Sequence, residues 1–151
     1  MLESKIETII NNDFITKKYF LGAFAFDELP VITRYPASFI VNTKPRNNEG
    51  EHWLALYFNQ KKFCYFFDSY GFSPSYHKLL NYIKYYSIEL NYNMKALQEM
   101  GSIVCGEYCI MFLFYITRND LKSFYNNFSI NVKKNDICIK YLLKDLKIKR
   151  K

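Results

Sequence analysis

The sequence predicts a single α+β domain that spans residues 1–151. The segments PASFIVNT, HWLALYFN and KKFCYFFDSYG are rich in β-branched and aromatic residues, which is typical of strands. The link NQKK between the last two has the length of a hairpin loop, so these two strands should be antiparallel neighbours. The stretch from Cys105 to about Ile116 is apolar nearly all round, which predicts a central, buried helix. A chain of 151 residues that is 50% hydrophobic can bury one sizeable core.

The remaining helices are predicted from helical spacing of apolar residues and from cap residues. The first helix lies in SKIETII, where Ser4 and Glu7 fit a capping box. The segment SPSYHKLLNYIKYYSIEL predicts a second helix that begins near residues 73–74. Two further helices are predicted to begin at residues 119–120 and 135–136, because Asn and Asp are favoured N-caps.

Neither a leader nor a membrane span is predicted. The N-terminus MLESKIETIINNDF has no basic start followed by an apolar run, and stretches such as CIMFLFYI are far shorter than the roughly 20 residues that span a bilayer. These features predict a soluble intracellular protein that does not contact a membrane. The four cysteines should then be reduced, and their spacing matches neither a disulfide scaffold nor a zinc site. We therefore expect no bound metal.

The net charge of +7 is concentrated near the C-terminus. Residues 133–151 contain eight Lys or Arg and two Asp, a local charge of +6. Lys140, Lys144, Lys147 and Lys151 recur at intervals of three and four, so one face of a helix would present a basic stripe. Such a stripe can follow a phosphate backbone, and it can equally be a solvated helix face that keeps the protein soluble.

Cys105 stands where a Gly-Ser turn leads into the predicted buried helix. A thiol in the first turn of a helix faces unpaired backbone N–H groups and the positive end of the helix dipole, which favour the thiolate. The alternative is that Cys105 packs as a small apolar residue, as most free cysteines do. Core packing is the expectation for Cys64 and Cys109.

A reactive cysteine needs a base, and the sequence offers two histidines, His52 and His77. His52 begins a strand, whereas His77 falls in a polar helix and is expected to be solvent-exposed. If the two central strands form a hairpin, His52 and Asp68 lie at the outer ends of adjacent strands and hence close together. Asp68 could then orient the imidazole of His52. The alternative is that Asp68 only forms a turn with the residues up to Gly71.

Four blocks of the sequence resemble, in the same order, those of the adenain family, the adenovirus maturation cysteine proteases. The blocks are FLGAF, FIVNTKPRNNEGEHWLALYFN, KKFCYFFDSYGFS and LQEMGSIVCGEYCIMFL. The resemblance covers nearly the whole chain. More distantly, the order of His-Trp, Asp and Gln-x6-Cys-Gly is similar to that of proteases that process ubiquitin-like modifiers.

The resemblance implies a role for each of four residues. Cys105 would be the nucleophile, His52 the general base and acid, Asp68 the orienting carboxylate and Gln98 the oxyanion-hole donor. It also implies a papain-like cysteine protease core, with a central mixed or antiparallel sheet flanked by helices and a buried helix that starts at the nucleophile.

The chain departs from adenain at three places. Residue 68 is Asp where adenain has Glu, which shortens the reach and matches the modifier proteases. The stretch from Phe72 to Gln98 is shorter and lacks the cysteine that captures adenain's activating peptide, so the resemblance does not carry that mode of activation. The C-terminal part is also shorter.

The resemblance implies a cysteine endopeptidase that cleaves viral or mobile-element structural precursors during particle maturation, near small residues and commonly after glycine. We expect a monomer of the virion and host-cell interior that needs no cofactor for its chemistry. DNA, through the basic C-terminal helix, or a viral peptide could activate it. The alternatives are a protease that removes ubiquitin-like modifiers and an inactive nucleic-acid-binding or assembly protein.

Overall fold

The computed structural model describes residues 1–149, and its centre is a five-stranded sheet whose spatial order follows the chain. The inner pairs are antiparallel and the two outer pairs are parallel, so the sheet is mixed. The predicted hairpin between the third and fourth strands is confirmed. The strands are β1 (Phe20–Phe24), β2 (Ala37–Asn42), β3 (Trp53–Phe58), β4 (Phe63–Phe67) and β5 (Glu89–Tyr92).

Helices cover both faces of this sheet. Helices α1, α3, α4 and α5 contribute to one core and α2 to the other. In α3, nine of the twelve residues are buried, as its apolar sequence predicts. The helices are α1 (Glu3–Asn11), α2 (Leu80–Tyr86), α3 (Cys105–Ile116), α4 (Leu121–Asn126) and α5 (Val132–Ile148), with a short 3-10 helix at Thr16–Tyr19.

Alternation along the central strands assigns each side chain to one of the two cores. In β3, Trp53, Ala55 and Tyr57 belong to the core under α3, while Leu54, Leu56 and Phe58 belong to the core under α2. All six residues of β3 are buried, because both faces of the strand are covered. In the same way, even-numbered residues of β4 face α2 and odd-numbered residues face α3.

The predicted capping box at the first helix is wrong. The N-cap of α1 is Leu2, and no side chain caps the helix. Glu7 instead accepts a hydrogen bond from the backbone N–H of Ala23 at 3.0 Å. The carboxylate of Glu7 therefore connects α1 to β1.

The predicted start and end of the second helix are also wrong. Residues 74–78 form a turn, and Lys78 has a φ of 60°, which cannot continue a right-handed helix. Helix α2 begins only at Leu80 and ends at Tyr86, and the last two residues of the predicted segment, 89–90, belong to β5.

Helix α5 begins at Val132, not at residues 135–136 as predicted. Its N-cap is Asn131, whose side chain accepts a hydrogen bond from the N–H of Lys134 at 3.1 Å. Asn135 and Asp136 are buried inside the first turns of the helix, where they bind other segments. By contrast, α4 begins directly after Asp120, at the predicted place.

The basic stripe on α5 has the predicted orientation as far as the structure describes it. Lys140, Lys144 and Lys147 are exposed, whereas Ile139 and Leu143 are buried in the core. Lys151 lies outside the described residues. Within residues 1–149, no helix is both long enough and apolar enough to cross a bilayer.

Candidate active site

His52 and Asp68 meet at the open end of the β3–β4 hairpin. His52 directly precedes β3, and Asp68 directly follows β4. Because the two strands are antiparallel, these positions lie side by side. The Nε2 atom of His52 is 2.7 Å from Oδ1 of Asp68, so the proximity predicted from the spacing is confirmed.

Both carboxylate oxygens of the fully buried Asp68 are occupied. Oδ1 accepts from His52 Nε2 and from the N–H of Tyr70 at 2.9 Å. Oδ2 accepts from Nε2 of His77 at 2.8 Å and from the N–H of Phe72 at 3.2 Å. Burial alone would raise the pKa of Asp68, but the hydrogen bonds from His52 and His77 outweigh it and hold the pKa well below its usual range. Asp68 is therefore a carboxylate.

Cys105, the first residue of α3, is the other hydrogen-bond partner of the His52 ring. Since Nε2 of His52 is bound to Asp68, Nδ1 is the ring nitrogen left to interact with the thiol. Burial acts to raise the pKa of Cys105, but the hydrogen bond with His52 and the nearby backbone N–H of Trp53 outweigh it, so the pKa is lowered.

The charge on His52 is favoured by the same contacts. Burial opposes protonation, yet the hydrogen bonds with Asp68 and Cys105 prevail and raise the pKa of His52 to about 9. The ring of Tyr70 stacks on the imidazole, with centroids 4.6 Å apart and planes at 21°. A lowered thiol pKa beside a raised imidazole pKa favours a thiolate–imidazolium pair at neutral pH.

Gln98 is held beside this group by Ser69 and Ser102. Its backbone N–H donates to the carbonyl of Ser69 at 3.1 Å, and its Oε1 accepts from the Ser69 hydroxyl at 2.5 Å. Its Nε2 lies 2.9 Å from both the carbonyl and the hydroxyl oxygen of Ser102. The buried amide is thus fixed between the turn after Asp68 and the loop that leads into Cys105.

Helix α5 supports the segment that carries Gln98. Asn135 Nδ2 donates to the carbonyl of Leu97 at 3.1 Å, and Asp136 accepts from the N–H of Glu99 at 3.3 Å. The hydroxyl of Tyr108 donates to Asp136 at 2.9 Å. The predicted helix-start residues 135–136 therefore position the residues on either side of Gln98.

A groove of about 530 Å³ opens beside Cys105. Its lining includes Met1, Asn42, Gly50, Trp53 and Cys105. The indole N–H of Trp53 donates to the carbonyl of Met1 at 3.0 Å, which fixes one wall of the groove. The groove places open space next to Cys105, where an extended peptide could lie.

The other three cysteines occupy different surroundings. Cys64 is buried in the core under α2, and Cys109 donates to the carbonyl of Trp53 at 3.3 Å. Burial raises the pKa of Cys64, Cys109 and Cys138. Cys105 is the one whose pKa is lowered. Among residues 1–149, no group of three His, Cys, Asp or Glu side chains is arranged to hold a metal ion.

His77 is the residue whose position the sequence mispredicts. The helical pattern predicts a solvent-exposed side chain, but that side chain is only 9% exposed and contacts Asp68 directly. The reason is the turn at residues 74–78, which replaces the expected helix and brings His77 back over the end of β4. The alternation of side chains along β4 could have indicated the position of His77. Asp68 lies on the same strand face as Cys64 and Phe66, and the chain after Gly71 covers that face.

Comparison with known proteins identifies the family. The profile of the adenovirus endoprotease family matches residues 20–141. The chain belongs to the adenovirus endoprotease family. It is 33% identical over 126 residues to the protease of human adenovirus A serotype 12, and the aligned region covers 73% of the chain and 61% of that relative. It is 30% identical over 139 residues to the protease of bovine adenovirus B serotype 3, and the aligned region covers 82% of the chain and 68% of that relative.

The protease of human adenovirus B serotype 3 is 32% identical over 133 residues, 74% of this chain and 60% of that relative. The chain thus spans about three-fifths of the length of several adenovirus endoproteases that it matches. The matched range 20–141 contains Cys105, His52, Asp68 and Gln98.

Proposed function

We propose that this chain is a cysteine endopeptidase with a papain-like core that cleaves structural precursor proteins during the maturation of a virus particle. The observation that carries the proposal is the placement of His52 between Cys105 and the buried Asp68: its Nε2 is 2.7 Å from Oδ1 of Asp68, and its interaction with Cys105 lowers the pKa of that thiol despite burial. Membership of the adenovirus endoprotease family supports the same chemistry. The place of action would be the virion and the interior of the host cell.

In the first step, the Cys105 thiolate attacks the scissile carbonyl carbon and forms a C–S bond, while the carbonyl electrons move to oxygen. The helix-start N–H of Cys105 and the amide of Gln98 would stabilise this oxyanion. For that, one N–H of Gln98 would turn from Ser102 toward the oxygen. An oxyanion-hole donor typically contributes about 3 to 4 kcal/mol of barrier reduction.

Collapse of the oxyanion breaks the C–N bond, and the His52 imidazolium gives its proton to the leaving amine. Water then attacks the thioester, with neutral His52 accepting the proton, and a second collapse releases the acid and restores the thiolate–imidazolium pair. Asp68 keeps the imidazole oriented and supports its charge in both steps.

The test uses the purified chain and a fluorogenic peptide with glycine before the scissile bond. Cys105→Ala should reduce cleavage to background, because it removes the nucleophile. Cys138→Ala is the matched control, since it removes a thiol from a different part of the fold, and it should keep most of the activity. Equal activity in both variants would refute the proposal.

Iodoacetamide labelling gives a second measure that needs no substrate. Cys105 should be alkylated fastest near neutral pH, because its pKa alone among the four cysteines is lowered. Equal labelling of all four thiols would contradict the assigned nucleophile. Cleavage of ubiquitin-like conjugates in preference to the peptide would instead support a modifier protease, and labelling without cleavage of either substrate would point away from an endopeptidase.

A further inference from the structure

Asp68 lies between two imidazoles, and only one of them contacts Cys105. His52 donates to Oδ1 and His77 to Oδ2, at 2.7 and 2.8 Å. A carboxylate can only accept, so each Nε2 carries a proton. The His77 side chain is 9% exposed, as is that of His52.

We propose that His77 is a positioning residue of this site, whose Nε2–H holds the second oxygen of Asp68 so that the first oxygen faces His52. The inference rests on the proposed function only in assigning Cys105 as the reactive thiol. Without His77, Oδ2 of the fully buried Asp68 would keep the N–H of Phe72 as its bonded donor, at the longer distance of 3.2 Å.

The local backbone explains how His77 reaches this position. Gly71, with a φ of 77°, turns the chain after Asp68, and Lys78, with a φ of 60°, ends the next turn. The N–H of His77 donates to the carbonyl of Ser73 at 3.4 Å. These turns return the imidazole to the carboxylate nine residues earlier in the chain.

Aromatic rings surround the His77 imidazole on its other sides. The rings of Phe66, Phe72 and Tyr76 lie 6.1, 6.4 and 5.0 Å from it, centroid to centroid. The titratable groups that face it are Asp68, His52 and Tyr76, and the His52 ring is 6.3 Å away. His77 therefore has two separable properties, an aromatic ring packed among rings and an N–H bound to Asp68.

Two substitutions separate these properties. His77→Phe keeps a ring among the aromatic neighbours and removes the N–H, whereas His77→Gln keeps an amide N–H that can reach Oδ2 and removes the ring. If His77 positions Asp68, His77→Phe should raise the midpoint of Cys105 alkylation by iodoacetamide by about one pH unit, which is about a tenfold loss of rate at pH values below both midpoints. His77→Gln should restore the wild-type midpoint.

The peptidase assay should agree, with kcat lowered and KM unchanged in His77→Phe, because His77 does not line the groove beside Cys105. A wild-type alkylation midpoint in His77→Phe, or a defect in His77→Gln with none in His77→Phe, would overturn the proposal in favour of ring packing. The alkylation measurement needs no substrate. It therefore tests whether His77 positions Asp68 even if the chain has no peptidase activity.

One measurement on the unmodified chain covers the case in which His77→Phe does not fold. Long-range ¹H–¹⁵N spectra at neutral pH report which ring nitrogens carry protons. The proposal requires a protonated Nε2 on both His52 and His77. An unprotonated Nε2 on His77 would overturn it, because that nitrogen could not donate to Asp68.

Discussion

At the scale of single residues, the position of one proton decides the chemistry. The contacts of Cys105 lower the pKa of its thiol, and those of His52 raise the pKa of its imidazole to about 9. The two shifts have opposite signs and a common origin, since each group is stabilised in its charged form by the other. Such a pair titrates as a unit.

These shifts predict a bell-shaped dependence of kcat/KM on pH. Activity should rise as Cys105 loses its proton, below the usual thiol pKa of about 8.5, and fall as His52 loses its proton near pH 9. Initial rates of peptide cleavage from pH 5 to about pH 10 would measure both limbs.

Asp68→Asn supplies the control for this profile. The substitution removes the negative charge that helps to raise the pKa of His52, so the falling limb should move toward the ordinary histidine value of about 6.5. A falling limb that stays near pH 9 in Asp68→Asn would show that another group sets the charge of His52.

At the scale of elements, the turn after β4 sets the geometry of the site. Gly71 has a φ of 77°, and a Cβ there would lie 2.8 Å from the carbonyl carbon of Lys95 and 3.0 Å from the N of Ala96. The close approach holds residues 95–96, just before Gln98, against the turn that begins at Asp68. Only glycine fits both the conformation and the contact.

Gly71→Ala should therefore lower the free energy of unfolding by more than the cost of its backbone strain alone, which is about 1 to 3 kcal/mol. Gly101→Ala is a matched control, because Gly101 has a φ of 83° but a Cβ added there would meet nothing within 4 Å. Urea unfolding of both variants would measure the difference. Equal decreases would mean that the contact with residues 95–96 contributes nothing.

Sequence patterns predict the elements whose environment is uniform. Strands β2 to β4 and helix α3 lie in the interior of the molecule. Their apolar composition and the length of the hairpin link are therefore sufficient to predict them. The start of α5 is mispredicted because buried Asn135 and Asp136 look like caps while they bind residues 97–99. Strand β5 is missed because its residues are mostly exposed and its first two end the segment that is predicted to be helical.

The residues of the site also differ in whether sequence patterns predict them. His52 and Asp68 follow from strand register, which is a local property that the hairpin link specifies. Gln98 comes only from the family resemblance, because its position depends on hydrogen bonds with Ser69 and Ser102, contacts that spacing does not encode. His77 depends on two residues with positive φ, which a helical pattern hides.

At the scale of the whole molecule, charge is distributed unevenly. Lys140, Lys144 and Lys147 are exposed along α5, and Lys151 lies outside the described residues. We propose that this stripe binds duplex DNA and so concentrates the protease on a packaged genome. Replacing the four lysines with Gln should flatten the slope of log affinity against log salt by up to about one unit for each phosphate that is no longer neutralised.

A control with the same change in charge tests whether the arrangement matters. Lys5, Lys61, Lys84 and Lys122 are exposed and lie on separate elements. Their replacement with Gln should change DNA affinity and its salt slope less than replacement of the stripe. Fluorescence anisotropy over a salt series would measure the binding. If the stripe variant binds DNA with the wild-type affinity and salt slope, the stripe does not bind DNA and serves only to keep the protein soluble.

The bonds from Asn135 and Asp136 to residues 97–99 have a consequence for synthesis on the ribosome. His52, Asp68 and Cys105 are all made before α5, so a nascent chain can hold its reactive thiol while α5 is still inside the ribosome. The segment around Gln98 gains its two anchors only when α5 emerges and docks. If the chain is the proposed peptidase, its full activity would therefore wait until α5 has docked, which would limit cleavage of neighbouring nascent proteins before that point.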